Sequence, residues 1–209
     1  GLIFFMAFLC SSYSGKQTVL IHSHNDYQKN IPFYRAYSQQ VHTIEADIYA
    51  APASDGLLVA HDPHELDSAL SLDEMYLEPL IFLFGQNEGR PWRGSEQVLT
   101  LMIDLKTPLH PTIDRLIAKL KRHPEVFDPS VNPYAVRIVI SGSRPDPEAF
   151  GEYPRFISFD GFIDVDYTPQ QLERVAFISE PFFRYSKWKG GADTLSAEDR
   201  QVIESLVAK

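Results

Sequence analysis

The chain lacks the pairs of cysteines that would form internal disulfide bonds and the clusters of basic residues that would bind nucleic acid. Cys10 is the single cysteine among 209 residues, which excludes an internal disulfide framework. Lys and Arg number 19 against 28 Asp and Glu, giving a formal net charge of -9. Since the chain has no basic stripe of the kind that contacts a phosphate backbone, nucleic acid is not expected as a partner. The hydrophobic content of 44% is enough to bury the core of one domain.

Long apolar runs are also lacking, and the most apolar one stands at the start of the sequence. Residues 1–10 read GLIFFMAFLC and are followed by the small and polar SSYSG. Ten residues are too few to span a bilayer, and the pattern is typical of a secretory signal. We therefore predict a signal segment over residues 1–15, a domain over residues 16–209, and an exported protein, periplasmic or secreted. The alternative is that Leu2 to Leu9 packs as a first strand or helix.

Short apolar runs alternate with helix-like segments over the rest of the chain. The strand candidates are residues 18–22, 43–49, 57–60, 99–105, 136–140, 155–159 and 175–179. The helix candidates are residues 32–40, 72–84, 111–121, 169–174 and 196–208. This alternation is typical of parallel βα units and predicts an α/β sheet or barrel. The strand at 57–60 is the exception, because AAPASDG before it reads as a hairpin connection.

Acidic residues lie near the ends of two strand candidates, on the polar face. Side chains alternate across a strand, so Glu45 and Asp47 share one face of HTIEADIYA and the apolar residues between them share the other. In LTLMIDLKTP the same test puts Asp104 and Lys106 on the polar face. Two carboxylates on one buried face repel each other, and a divalent cation commonly offsets that repulsion. The alternatives are a solvated strand face and a simple ion pair between Asp104 and Lys106.

Histidines follow two of the other apolar runs. His22 and His24 end the run TVLIHSH, and His61 follows LLVA. In a barrel the carboxyl ends of the strands meet at one mouth, where catalytic residues collect. We therefore expect one pocket there. The side chains expected to converge in it are those of His24, His61, Glu45, Asp47 and Asp104.

The order of these elements is a histidine, then E-x-D, then H-D, then D-L-K-T. It resembles the PLC-like phosphodiesterase superfamily of TIM barrels, which includes glycerophosphodiester phosphodiesterases and the venom sphingomyelinases D. The resemblance runs from His22 to Lys106 and implies a TIM-type (β/α)8 barrel. SHNDY with IEADIY is most similar to bacterial relatives of the family named for altered inheritance of mitochondria. One motif departs from the superfamily: H-N-D stands where H-R-G is usual, which removes an arginine expected near the phosphate.

The resemblance also implies a reaction and a role for each residue. It makes His24 and His61 the acid/base pair of a phosphodiesterase acting on a glycerophosphodiester or phospholipid-like substrate. One histidine would take a proton from the attacking oxygen, of water or of a neighbouring substrate hydroxyl, while the other protonates the leaving alcohol. The implied ligands of one divalent cation, Mg²⁺ or Ca²⁺, are Glu45, Asp47 and Asp104. The implied substrate-binding residues are Lys106, at the phosphate, and His22.

The implied partners are a small phosphodiester or a lipid headgroup, with peripheral contact to membrane lipid. Two other function classes compete with this interpretation. Amidohydrolase-like metal hydrolases also carry H-x-H after the first strand, but they need nitrogen ligands on later strands, and no histidine follows His123. A barrel that binds and does not catalyse is the second competitor. In ISGSRPD, Ser141 and Arg144 follow a strand. A place near the phosphate is one alternative for them, and the one we expect is a turn with a solvated arginine.

The strand count predicts an incomplete barrel. Six candidates can serve as barrel strands once the hairpin strand is set aside, whereas a closed barrel has eight and about 250 residues. The strand at Thr18 should then lack a partner on the side away from the strand at Thr43. The domain should be truncated at its C-terminal end, and the natural protein should continue past Lys209.

Overall fold

Seven strands form a single sheet in the computed structural model, which describes residues 20–67 and 70–207. The strands are β1 (His22–Ser23), β2 (Thr43–Ala50), β3 (Leu57–Val59), β4 (Thr100–Leu105), β5 (Arg137–Gly142), β6 (Ile157–Asp160) and β7 (Val175–Phe177). Six of them lie side by side in the order β1-β2-β4-β5-β6-β7, and every neighbouring pair in that order is parallel. The hairpin strand β3 pairs antiparallel with β2.

Helices connect the parallel strands. The α-helices are α1 (Tyr34–Ser38), α2 (Glu78–Gln86), α3 (Leu109–Leu120), α4 (Pro124–Phe127), α5 (Pro169–Leu172) and α6 (Ala197–Val207). A π-helical turn, Asp73–Leu77, leads into α2. Short 3-10 helices cover Asp26–Gln28, Pro63–Glu65, Pro147–Glu152 and Phe182–Arg184. None of the helices in the described ranges is both long and apolar enough to cross a membrane.

The core lies between the sheet and its helices. Ile44, Ala46 and Ile48 on β2 are fully buried in it, as are the alternate apolar residues of β4 and β5. On α3, Ile113, Leu116 and Leu120 recur at helical spacing and bury the stripe that faces the sheet. The opposite face of β2 and of β4 carries the acidic residues, as the alternation predicts.

The sheet is a curled, half-barrel-like layer of six parallel strands, which confirms the α/β class and is consistent with the predicted incomplete barrel. Among the described residues, β1 pairs only with β2, as predicted. The predicted signal segment, residues 1–15, lies outside the described residues, as does the start of the first strand candidate. The predicted helices agree less well with the structure than the predicted strands do, because α1 is shorter than predicted and α4 was not predicted.

Candidate active site at the carboxyl edge of the sheet

Three carboxylates converge at the carboxyl ends of two neighbouring strands. Glu45 and Asp47 lie on β2, and the parallel register sets Asp47 directly beside Asp104 on β4. Each of the three offers an oxygen within 4.8 Å of the others. Glu45 and Asp47 are buried, Asp47 completely. The hydrogen-bonded ladder between β2 and β4 therefore fixes the spacing of Glu45, Asp47 and Asp104, which we call the carboxylate cluster. Because the cluster is largely buried, the repulsion between its negative charges is strong.

Lys106 offsets part of that negative charge. Its Nζ lies 3.0 Å from Asp47 Oδ2 and 3.2 Å from Asp104 Oδ2. Burial disfavours the charged lysine, but the two aspartates outweigh burial and hold the pKa of the ammonium above its usual range. For Asp104, burial raises the pKa of the carboxyl, and the nearby Lys106 offsets only part of this increase. One ammonium against three carboxylates leaves an excess of negative charge.

The oxygens of Asp47 fit a hard divalent cation. Oδ2 has hydrogen-bonding neighbours in Tyr27, His61 and Lys106, whereas the buried Oδ1 has none among the described residues. An unsatisfied buried carboxylate oxygen is costly. Oxygen ligands from three carboxylates are what Mg²⁺ and Ca²⁺ prefer, and the charge of such a cation would balance the excess. The carboxylate oxygens of Glu45, Asp47 and Asp104 are thus chemically suited to bind the predicted cation.

The two histidines of the SHNDY motif differ in their surroundings. His22 Nε2 lies 2.6 Å from Glu45 Oε2, and its side chain is 12% exposed. His24 Nε2 lies 4.0 Å from the same oxygen, and its side chain is 48% exposed. The imidazole centroids are 6.1 Å apart. His22 is thus engaged with Glu45 in the interior, whereas His24 is the histidine that a molecule at the mouth can reach.

His61 contacts the carboxylate cluster at Asp47, whereas His22 and His24 lie near Glu45. Its Nδ1 is 3.1 Å from Asp47 Oδ2 and 3.2 Å from the Tyr27 hydroxyl, while 45% of the side chain stays exposed. Its backbone is also fixed, because its N–H donates to Glu65 Oε2 at 3.1 Å and its carbonyl accepts from Tyr49 at 2.9 Å. The structure thus brings all five predicted side chains together, and their roles stay predictions.

Tyr27 and Asp26 belong to this region but were not among the predicted site residues. The Tyr27 hydroxyl donates to Asp47 Oδ2 at 2.8 Å, and burial together with that bond raises the pKa of the phenol. Asp26 is buried and accepts from Ser23 Oγ at 2.7 Å, from Tyr76 at 3.1 Å and from a backbone N–H. Both residues lie in the short 3-10 helix of the loop between β1 and α1, where no strand periodicity marks them. Their signal in the sequence is the motif SHNDY, which contains both residues.

The expectation of a solvated Arg144 was wrong. Only 14% of this side chain is exposed. Its guanidinium lies 4.0 Å from the centre of the Phe162 ring, donates to the Gly161 carbonyl at 3.1 Å and approaches Asp160 to 4.0 Å. Ser141, next to Asp104 in the register, is also buried. Contacts with a loop 17 residues away override the local turn pattern around Arg144.

A match to a known protein family covers the part of the chain that contains the candidate site. A family model described as an AIM6-like phosphodiesterase domain matches residues 13–127, a range that contains every predicted site residue. "Altered inheritance of mitochondria protein 6" of Eremothecium gossypii is 32% identical over 97 residues, covering 42% of this chain and 25% of that protein. The protein of the same name from Kluyveromyces lactis is 34% identical over 70 residues, covering 33% of this chain and 17% of that protein.

A homolog with that name from Arthroderma benhamiae is 33% identical over 104 residues, covering 41% of this chain and 32% of that protein. The matched segments thus span about a third or less of these curated relatives. All three are fungal proteins, whereas the motifs led us to expect bacterial relatives. No solved structure matches the chain significantly.

Proposed function

The chain belongs to the AIM6-like phosphodiesterase domain family, and we propose that it cleaves a phosphodiester with the help of one divalent cation and two histidines. The observation that carries the proposal is the carboxylate cluster, whose three oxygens lie within 4.8 Å of one another. His24 and His61 flank it, each with a partly exposed ring. We further infer that the six parallel strands belong to a (β/α)8 barrel of the PLC-like type.

Glu45, Asp47 and Asp104 would hold Mg²⁺ or Ca²⁺. A cation held there would supply positive charge that stabilises the negative charge of the phosphate in the transition state. Lys106 lies beside the same carboxylates and can pair with the phosphate as a point charge. The all-oxygen donor set also argues against the zinc chemistry of amidohydrolase-like enzymes, which rests on nitrogen ligands.

His24 and His61 carry the proton transfers in this proposal. One imidazole accepts the proton of the attacking oxygen, and the other donates a proton to the leaving alcohol. The attacking oxygen comes either from water or from a neighbouring hydroxyl of the substrate. Histidine suits both steps, because its ordinary pKa lies close to neutral pH. His22 would act indirectly, since its contact with Glu45 orients that carboxylate.

The substrate class follows from the chemistry of the site and from the family. We propose a small phosphodiester such as a glycerophosphodiester, or the headgroup region of a phospholipid approached from the membrane surface. Asn25 stands where related barrels carry the arginine of H-R-G, so phosphate binding would depend on Lys106 and the cation. An exported location, in the periplasm or outside the cell, completes the proposal.

A chromogenic phosphodiester and a glycerophosphodiester, assayed with and without a chelator, test the proposal. We expect turnover with Mg²⁺ or Ca²⁺ that the chelator abolishes. The variants His24→Ala and His61→Ala should each lose about 100-fold or more in kcat, whereas His22→Ala should act mainly on KM or stability. Tyr34→Phe, on an exposed side chain, serves as the control. No turnover of any phosphodiester by the folded, cation-supplied chain would indicate a binding barrel instead.

A further inference from the structure

The imidazole of His61 has two neighbours at its Nδ1 atom, and both are oxygens. Asp47 Oδ2 lies 3.1 Å from Nδ1 and the Tyr27 hydroxyl oxygen lies 3.2 Å from it. The same Tyr27 oxygen lies 2.8 Å from Asp47 Oδ2. Three atoms of three different side chains thus form a closed triangle. Hydrogen atoms can be placed in this triangle by donor and acceptor chemistry alone.

An ionised carboxylate can only accept hydrogen bonds. The Tyr27 hydroxyl must therefore donate its single hydrogen to Asp47, as the bond between them requires. Its oxygen then presents only lone pairs to His61. Both neighbours of Nδ1 are acceptors in this arrangement, so a hydrogen on Nδ1 satisfies them and a lone pair there would repel them.

The rest of the structure holds His61 in this position. Glu65 accepts from its backbone N–H, and Tyr49 donates to its carbonyl. Tyr27 in turn follows Asp26, whose buried carboxylate accepts from Ser23 and Tyr76. The loop that carries Tyr27 is therefore fixed to the interior. The other ring nitrogen, Nε2, belongs to a side chain that stays 45% exposed.

We propose that Tyr27 is a positioning residue, which together with Asp47 keeps the hydrogen of neutral His61 on Nδ1, so that Nε2 is the nitrogen that exchanges protons with the substrate. This inference rests on the proposed function for the identity of the reaction, whereas the position of the hydrogen follows from the triangle itself. A fixed tautomer matters because an imidazole presents either a lone pair or a hydrogen at a given nitrogen. Tyr27 acts through His61 and does not itself touch the substrate.

The test compares Tyr27→Phe with Tyr34→Phe, which removes the same hydroxyl from an exposed tyrosine seven residues away. Nitrogen-15 NMR of the histidine rings, with His61 assigned by loss of its signals in His61→Gln, reports which nitrogen carries the hydrogen. The spectra are recorded with a chelator and with Mg²⁺. We expect wild-type His61 to hold its hydrogen on Nδ1, and Tyr27→Phe to raise the fraction with the hydrogen on Nε2. Tyr34→Phe should match the wild type.

Kinetics on the chromogenic phosphodiester provide the second measurement. Tyr27→Phe should lower kcat by about 10-fold, the effect of losing one hydrogen bond at the reacting side chain, with KM changed less than about 2-fold. A wild-type spectrum with the hydrogen on Nε2 would overturn the inference, as would unchanged spectra and kcat in Tyr27→Phe. If the chain cleaves no phosphodiester, the proposed function fails, and the spectra alone still decide where the hydrogen lies.

Discussion

Replacing Asp160 by asparagine should remove a pH-dependent part of the stability of the fold. Asp160 ends β6 and is 3% exposed. Burial raises the pKa of its carboxyl from 3.8 to about 6. The backbone N–H of Ser179 donates to it at 2.8 Å, the Ser179 hydroxyl also donates, and Arg144 approaches within 4.0 Å. These contacts favour the ionised form, but burial outweighs them.

The sign of the effect follows from comparing the folded and unfolded chains. Between pH 3.8 and about 6 the folded chain keeps a proton on Asp160 that the unfolded chain releases. The stabilising contribution is therefore complete below pH 3.8 and is lost as the pH rises through about 6. The pKa difference corresponds to about 3 kcal/mol in all, of which about 2 kcal/mol falls between about pH 4.5 and about pH 7.5.

Urea unfolding at those two pH values measures this contribution. Asparagine keeps an acceptor for the Ser179 N–H and can donate to its hydroxyl, so Asp160→Asn should fold. The wild type should lose about 2 kcal/mol more than the variant as the pH rises. Asp55→Asn, in the exposed β2–β3 connection, should follow the wild type. An equal pH dependence in Asp160→Asn and the wild type would refute the reasoning.

Three further predictions concern the site and its support. Mg²⁺ or Ca²⁺ at about 100 times its Kd should stabilise the chain by about 2.7 kcal/mol and raise Tm by about 5–10 °C, and Asp104→Asn should lose most of this shift in a thermal melt. Lys106→Met should lower kcat/KM for a phosphodiester by about 100-fold, and an unchanged value would remove Lys106 from the phosphate site. Gly142→Ala should cost about 2–4 kcal/mol in urea unfolding, because Gly142 has φ +67 and a Cβ there would lie 2.1 Å from Asp104 Oδ1. Gly85→Ala, which meets nothing within 4 Å in α2, should not destabilise the chain.

The fold was predictable where local pattern and global packing agree. Ile44, Ala46 and Ile48 alternate with polar residues, and the strand they predict is β2 to within one residue. The hairpin that inserts β3 was predictable from its turn residues. Helix ends were less predictable, since Pro124 starts the short helix α4 inside a segment without apolar periodicity. Packing against the core, and not propensity, decides such short elements.

In the candidate site, the residues on strands were also easier to predict from the sequence than the residues on loops. Glu45, Asp47 and Asp104 could be placed together from the sequence, because period-two alternation puts them on the polar faces of their strands and parallel strands bring their carboxyl ends to one edge. Tyr27 could not, since its contacts with Asp47 and His61 join residues 20 and 34 positions away. Such contacts depend on the path of a loop, which no periodicity in the sequence describes.

Because the strands hold the carboxylates and a loop holds Tyr27, we predict that Asp26 supports the positions of the histidines but not the binding of the cation. Its buried carboxylate accepts from Ser23 at Oδ1 and from Tyr76 and the backbone N–H of Phe33 at Oδ2. An asparagine there would remove the negative charge that strengthens these bonds and would require the Ser23 hydroxyl to reverse from donor to acceptor. Asp26→Asn should therefore shift the loop and lower kcat by about 10-fold or more, with a loss of about 1–3 kcal/mol in stability.

The strand ladder holds the carboxylate cluster independently of that loop, so the thermal shift caused by Mg²⁺ or Ca²⁺ should persist in Asp26→Asn. Tyr76→Phe, which removes one of the three donors, should have a smaller effect on kcat and the same cation response. Parallel loss of the cation response and of turnover in Asp26→Asn would show that the loop, and not the ladder between β2 and β4, positions the three carboxylates.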